Sequence, residues 1–564
     1  MTYLERYSNW CNADLTDDVK CELRNIKDND EELKGRFGCD LQFGTAGMRG
    51  VMGAGSNRLN RYTVRRAAQG MAAWLKETDL PQKAAIGYDS RHNSQLFAEI
   101  CAVAFAEVGI KTYLYDRLAP TPMLSFAVRE LNCGCGIVIS ASHNSGEYNG
   151  VKCYGPDGCQ MTDEPAAVVT EKISKIPYFV PETKSFEAYL KDGVIAYIND
   201  AIWTKYYDAV LAEAVDVKKI RDAGLNIVYT PLCGTGNEPV RKVLGDLGVN
   251  ITVVASQEKP DGDFKTCEYP NPETDAALSE SYKVAQNVPC DLVIGTDPDC
   301  DRVAIAVPDN GGYTKLSGNE LGCLLLDYVL KARKEKNDIP DNAIVVRSIV
   351  SSPLADRIAE HYGVEMRAVL TGFKYIGGEI LKLEEQGKEN LFLFGFEESC
   401  GYLKGTYARD KDAVVASMLV CEVAASLKLE GKTILDAMAD IYKHYGCYLA
   451  NVQSVELTGA DAMEKAANMM SELRNAAPSE IGGVRVTKVR DYRSRISKDH
   501  ITNEETAIIL PSSNVLEFIL GQQGSVIVRP SGTEPKVKFY YTAVGESKEQ
   551  AQALLDAMKK QMSA

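Results

Sequence analysis

The sequence has no long apolar run, no Cys-x-x-Cys pair and no surplus of basic residues, and each absence closes off a class of protein. The most apolar stretch, residues 413–427, is interrupted by Glu422 and is too short to cross a bilayer, which takes about 20 consecutive apolar residues. The start, Met1-Thr2-Tyr3-Leu4-Glu5-Arg6, lacks the basic flank and apolar core of a secretory signal. Sixteen cysteines are scattered along the chain, the usage of reduced, mostly buried thiols, so a cytoplasmic protein is expected. Lys and Arg total 63 against 78 Asp and Glu, a net charge of −15. No nucleic-acid and no membrane partner is therefore expected, since both need a basic face. An anionic ligand must instead be gripped by a local concentration of Arg and Lys. No Gly-x-Ser-x-Gly elbow occurs, which argues against an α/β-hydrolase serine.

What is present is an ordinary globular composition, 45% hydrophobic and 25% charged, over 564 residues. That length predicts roughly three to five domains of about 100–200 residues each. One pattern recurs three times: a short apolar run, a polar loop, a segment of helical period, a Gly, then a second strand. The openings are Ala84-Ala85-Ile86-Gly87-Tyr88, Leu225-Asn226-Ile227-Val228-Tyr229 and Ala343-Ile344-Val345-Val346. The corresponding helices end at Gly109, Gly248 and Gly363. Three such copies predict three related α/β domains in series.

After each copy an apolar strand runs into a loop of unusual composition. Gly136-Ile137-Val138-Ile139 enters Ser140-Ala141-Ser142-His143-Asn144, and Asp291-Leu292-Val293-Ile294 enters Gly295-Thr296-Asp297-Pro298-Asp299-Cys300-Asp301-Arg302. Leu391-Phe392-Leu393-Phe394 enters Gly395-Phe396-Glu397-Glu398-Ser399-Cys400-Gly401-Tyr402. Ligands of open α/β sheets sit beyond the carboxyl ends of strands, so the three loops are expected to meet around one cleft. From about residue 448 the pattern changes. Residues 454–457 and 485–489 alternate like half-buried strands, Lys548–Met562 reads as an amphipathic helix, and a fourth loop, Arg529-Pro530-Ser531-Gly532-Thr533-Glu534-Pro535-Lys536, follows the strand Ser525-Val526-Ile527-Val528.

Asp297, Asp299 and Asp301 alternate, so their carboxylates can point one way. Two such charges about 4 Å apart repel by about 4 kcal/mol at an effective dielectric of 20. A divalent cation removes that repulsion, and an all-oxygen set suits Mg²⁺ or Mn²⁺ rather than zinc. An EF-hand is excluded, because its Gly would fall on Arg302 and its final Glu on Pro308. Ser142, followed by His143 and Asn144, has the makings of a phosphoryl carrier, although Ser-rich turns are common. Arg529 to Lys536 has a phosphate-binding composition, and Lys374 and Lys411 are further anion contacts or plain surface charges. Glu397 and Ser399 suit sugar hydroxyls, or a helix cap.

Taken in this order and spacing, these loops and Gly44-Thr45-Ala46-Gly47-Met48-Arg49-Gly50 resemble the α-D-phosphohexomutase superfamily. Within it the chain is similar to the phosphoglucomutase/phosphomannomutase branch that includes the longer phosphopentomutase-like enzymes. The resemblance implies three α/β domains with mixed sheets plus a smaller C-terminal α+β domain around a central cleft. The division expected is a helical extension at 1–40, domain I at 41–205, domain II at 206–312, domain III at 313–447 and domain IV at 448–564. It implies a phosphoserine at Ser142 and one Mg²⁺ ion held by Ser142, Asp297, Asp299 and Asp301. Arg49, His143, Lys152 and Arg302 would surround the phosphoryl group, with Lys152 or His143 moving the proton. Lys374, Glu397, Ser399 and Lys411 would face the sugar phosphate, and Arg529, Ser531, Gly532, Thr533 and Lys536 its non-reacting phosphate. The implied reaction moves phosphate between O1 and O6 through glucose 1,6-bisphosphate, in a monomer or homodimer. The loop Phe396-Glu397-Glu398-Ser399-Cys400-Gly401-Tyr402 departs from the Gly-Glu-Met-Ser-Gly-His form of dual-specificity phosphomannomutases and from the Gln-bearing phosphoglucosamine form. That favours glucose, with mannose and pentose phosphates as alternatives.

Overall fold

The computed structural model describes residues 1–44, 47–457, 462–530 and 536–562. Three α/β domains with mixed sheets precede a C-terminal domain built on an antiparallel sheet. The chain divides into two compact units: Met1–Gly318 with Ile376–Gly395 and Ser399–Gly431, and Asn319–Tyr375 with Phe396–Glu398 and Lys432–Ala564.

The first unit opens with helices Tyr3–Cys11, Asp17–Ile26 and Asp30–Phe37. Their buried faces, Trp10, Val19, Leu23, Ile26, Leu33 and Phe37, form a small core of their own. Trp10 fastens it to the body, its ring 5.6 Å from Tyr62 and 5.3 Å from Phe179. Next comes a six-stranded sheet in the order Gly47–Val51, Tyr148–Tyr154, Cys135–Ile139, Lys83–Tyr88, Lys111–Leu114, Ile195–Tyr197. Its two central strands, Cys135–Ile139 and Lys83–Tyr88, run parallel and are buried on both faces, which is why they read as unbroken apolar runs. A five-stranded sheet follows in the order Gly312–Lys315, Val303–Asp309, Leu292–Thr296, Asn226–Thr230, Asn250–Val253. Helix Asp200–Ala212 runs across the boundary expected at residue 205.

The apolar stretch read at 413–427 is a buried helix, Ala413–Leu429. Asp412 caps it by accepting from Val414 and Val415 N–H, and its other oxygen takes the Tyr206 and Tyr407 hydroxyls. Glu422, the interrupting charge, accepts from the N–H groups of Val215 and Asp216. The first helical N–H, that of Ala413, bonds the carbonyl of Cys300, which ties this helix to the acidic loop.

In the second unit, strands Ile344–Ser348 and Glu365–Val369 pair in parallel around helix Leu354–Tyr362. That helix stops at Gly363, whose φ of 72° lies in the left-handed region favoured by glycine. The C-terminal domain is a seven-stranded antiparallel sheet in the order Cys447–Glu456, Lys536–Gly545, Gly524–Pro530, Leu516–Ile519, Lys488–Asp491, Ile496–Asp499, Glu505–Ala507. Helices Ala462–Asn475 and Lys548–Met562 share a core with it through Met470, Leu555 and Met558. The alternating stretch read at 485–489 is two strands: Val484–Arg485 pairs with Glu480–Ile481, while Lys488–Asp491 joins the large sheet. No described helix is long and apolar enough to cross a membrane.

Candidate active site

Strand Cys135–Ile139 delivers Ser142 into a tight loop with φ of 53°, a left-handed conformation uncommon for serine. Its Oγ donates to Asp297 Oδ2 at 2.9 Å and lies 3.1 Å from His143 Nδ1. Asp297 sits at the end of strand Leu292–Thr296, so two strands from different sheets bring hydroxyl and carboxylate together.

The three aspartates are buried, with relative exposures of 0%, 0% and 2% for Asp297, Asp299 and Asp301, and one oxygen of each lies within 4.8 Å of the others. Asp297 Oδ1 accepts from the N–H groups of Asp301 and Arg302. Asp299 Oδ2 accepts from Thr121 Oγ1 at 2.9 Å and Lys152 Nζ at 2.5 Å. Asp301 Oδ2 is shared by Lys152 and Lys411, each at 3.2 Å. The remaining oxygens, Asp299 Oδ1 and Asp301 Oδ1, are buried with no hydrogen-bond partner. Unpaired buried carboxylate oxygens in an all-oxygen cluster are suited to a hard divalent cation. The trio fits such an ion.

Burial, and then the charges of Asp301 and Asp299, push Asp297 well above the usual carboxylate range. Burial works the same way on Asp299, but Lys152 overrides it and holds that carboxyl low. Burial and then the Asp299 charge work to raise Asp301, and the ammonium groups of Lys152 and Lys411 hold it low. Against the cost of its own burial, Lys152 is raised by Asp299 and Asp301 and is a cation. Desolvation, then Arg302 and Arg49, push His143 well down, leaving a neutral imidazole.

Antiparallel pairing sets Arg49 opposite Gly150, two residues from Lys152, so Arg49 and Lys152 share one face of the sheet. Arg49 donates to the Asn144 side chain at 2.9 Å. Arg302 donates to Glu273 at 2.6 Å and keeps a buried Nε without a partner. Lys411 is held by Asp410, which also takes the Tyr154 hydroxyl. Ser142, His143, Lys152, Arg49, Arg302, Lys411 and the three aspartates thus form one cluster in the first unit. Ser399 is half-buried in that unit.

In the second unit, Glu397 is the last residue of strand Phe392–Glu397 rather than a loop residue, and it accepts from Gly372 N–H at 2.6 Å. Lys374 Nζ lies 5.0 Å above the Tyr375 ring. Arg529 belongs to strand Gly524–Pro530 and Lys536 opens the next strand, Lys536–Gly545. Burial, then the carboxylates of Glu398 and the Arg529 guanidinium, act on the Tyr540 hydroxyl, which is raised overall. Tyr540 therefore has Glu397, Glu398 and Arg529 in its neighbourhood. Ser531, Gly532 and Thr533 lie outside the described residues.

Three partners of the cluster carry no signal in the sequence: Thr121, Glu273 and Arg91, which donates to the Ser142 carbonyl. Each is a lone polar residue whose partner lies far along the chain, as with Thr121 and Asp299, 178 positions apart.

A serine hydroxyl on an acidic trio, ringed by lysines and arginines, is suited to moving a phosphoryl group. Four family models match in order: phosphoglucomutase/phosphomannomutase alpha/beta/alpha domain I over residues 40–178, domain II over 204–312, domain III over 317–445 and the C-terminal domain over 463–561. The chain belongs to the phosphoglucomutase/phosphomannomutase family. A phosphoglucomutase of Staphylococcus epidermidis is 36% identical over 539 residues, spanning 94% of this chain and 96% of that protein. Among solved structures, a phosphoglucomutase/phosphomannomutase family protein of Burkholderia thailandensis has a TM-score of 0.67 at 16% identity, covering 92% of this chain and 96% of that one. The open form of the Paramecium phosphoglucomutase parafusin has a TM-score of 0.66 at 15% identity, covering 93% and 94%.

Proposed function

We propose that the protein interconverts glucose 1-phosphate and glucose 6-phosphate as a phosphoglucomutase primed by phosphorylation of Ser142. The observation that carries this reading is the Ser142 hydroxyl 2.9 Å from a buried carboxylate trio in a chain 36% identical to enzymes named phosphoglucomutase.

The phosphoryl group passes from Ser142 Oγ to O6 of glucose 1-phosphate. The bond from Oγ to phosphorus breaks and the bond from phosphorus to O6 forms; the neutral His143 imidazole, its Nδ1 3.1 Å from Oγ, takes the O6 proton and passes one to the departing Oγ, while Lys152, a cation, balances charge. The resulting glucose 1,6-bisphosphate reorients and returns the phosphoryl group on O1 to Ser142, with the proton restored to O1. Arg49 and Arg302 lie beside His143 and neutralise the transferring group; such charge balance and positioning are most of what phosphoryl transfer needs. Asp297, Asp299, Asp301 and Ser142 would hold one Mg²⁺, which supplies positive charge to the phosphoryl oxygens when bound. Glu397 and Ser399 hold the sugar hydroxyls, with Lys374 and Lys411 as anion contacts. Arg529, Ser531, Gly532, Thr533 and Lys536 take the phosphate that is not transferred. Phosphomannomutase and phosphopentomutase activities share this mechanism, and relative kcat/KM values on the three sugar phosphates separate them.

The test is conversion of glucose 1-phosphate to glucose 6-phosphate with Mg²⁺ and a trace of the bisphosphate. Activity in the wild type and none in Ser142→Ala is the expected result. Full turnover by Ser142→Ala rejects the reading, and release of inorganic phosphate at the mutase rate would make the protein a phosphatase.

A further inference from the structure

The loop that carries Ser142 is gathered from its inner side by one guanidinium. Arg91 Nη2 donates to the carbonyls of Ser142 at 2.6 Å and Asn144 at 2.5 Å, and Nη1 to those of Ser145 at 2.7 Å and Tyr148 at 3.1 Å. Its Nε faces Asp89 Oδ2 at 3.2 Å, and both side chains are fully buried. A guanidinium has five N–H donors in a fixed planar fork: the four on Nη1 and Nη2 are taken by these carbonyls, and Nε is ion-paired with Asp89 without a hydrogen bond.

The clamp is itself anchored. Asp89 Oδ1 accepts from Arg91 N–H and from Ser94 Oγ at 2.7 Å, and Ser94 Oγ accepts from Asn149, just past the loop. The Phe264 ring covers the guanidinium at 5.0 Å. On the same side, a Cβ on Gly146 would come 2.5 Å from the carbonyl of Gly262, so the loop is also pressed against its neighbour. Arg91 reaches its targets because strand Lys83–Tyr88 lies parallel beside strand Cys135–Ile139, which brings the two following loops side by side.

We propose that Arg91 is a positioning residue for phosphoryl transfer: by collecting four carbonyls it fixes Ser142 in its left-handed conformation, with Oγ directed at Asp297. The proposal rests on the reading of Ser142 as the phosphoryl carrier. Arg91 acts on the loop rather than on ligand: its side chain is fully buried, its Nη donors are taken by loop carbonyls and its Nε is turned toward Asp89. Lysine keeps the charge but has three donors on a flexible stem, and cannot span four carbonyls in a plane.

The experiment compares full-length Arg91→Lys and Arg91→Gln with Ser142→Ala, reading kcat and KM for glucose 1-phosphate, phosphate incorporated at Ser142 from the bisphosphate, and Tm. Arg91→Lys is expected to lose about 100-fold in kcat with KM within about threefold, since a misplacement of about 1 Å costs that much, and to incorporate phosphate correspondingly slowly. An Arg91→Lys kcat within about threefold of wild type, or a defect confined to KM, overturns the proposal while Ser142→Ala stays inactive. An active Ser142→Ala overturns instead the reading beneath it. If neither Arg91 variant folds, Phe264→Leu decides: a kcat reduced at least about threefold at unchanged KM supports the clamp, and wild-type kcat overturns it.

Discussion

The Ser142 hydroxyl donates to Asp297 across 2.9 Å although 155 positions of chain separate them. Two strand ends from two sheets supply the pair, so the chemistry depends on how those sheets pack as much as on the loops. Four consequences can be measured.

Metal binding should be visible as stability. The ion would relieve repulsion among Asp297, Asp299 and Asp301 and satisfy the unpaired oxygens of Asp299 and Asp301. Mg²⁺ should raise Tm by mass action, EDTA should reverse the rise and remove activity, and Asp301→Asn should show no rise. Thr121 orients Asp299 by a 2.9 Å hydrogen bond, so Thr121→Val should need about 10–100-fold more Mg²⁺ for the same effect.

Acid stability should run through Glu384. Hydrogen bonds from Arg129, against some burial and with help from Arg409, hold its carboxyl at about 2 against an ordinary 4.5. A lowered folded value means the stabilisation is complete above about pH 4.5 and is lost as pH falls toward 2. Glu384→Gln should therefore have a lower Tm than wild type at pH 7, and the gap should close between pH 4.5 and 2. A gap independent of pH would contradict this.

The N-terminal extension should be part of the cooperative fold. Trp10 is buried among Phe37, Tyr62, Tyr178 and Phe179. Trp10→Ala should cost about 3–5 kcal/mol in urea unfolding, with kcat unchanged for the protein that remains folded.

Glu397 accepts from Gly372 N–H and is proposed to hold the sugar. A hydrogen bond to a charged group is worth about 1.5–3 kcal/mol, so Glu397→Gln should lower kcat/KM by about 10–150-fold. Phosphate incorporation at Ser142 from the bisphosphate should fall with it, since the same sugar contact serves both.

Much of this architecture is legible in the sequence because buried parallel strands must be apolar on both faces. Ile137, Val138 and Ile139 announce a strand, and the polar Ser142 loop beyond them stands out by contrast. The alternation of Asp297, Asp299 and Asp301 is equally local. Long-range partners are not legible. Arg91 meets the Ser142 carbonyl 51 positions on, and nothing in Asp89-Ser90-Arg91 distinguishes a clamp from a surface turn. The break at 486–487 is hidden for a related reason. Alternation shows that one face of each residue is buried but not against which sheet, and here Val486 N–H bonds Ser479 while Thr487 N–H bonds Ile519. Glu422 shows the limit from the other side: it reads as a charge interrupting an apolar helix, and its role as acceptor for Val215 and Asp216 depends on a turn two hundred residues earlier.

The central claim is that Ser142 carries the phosphoryl group. Intact mass of the protein after exposure to glucose 1,6-bisphosphate, followed by peptide mapping, tests it most directly. One added phosphoryl group on Ser142, absent from Ser142→Ala and removed by excess glucose 1-phosphate, is the result expected. A protein that turns over substrate with no added phosphoryl group, or with one on another residue, would contradict it.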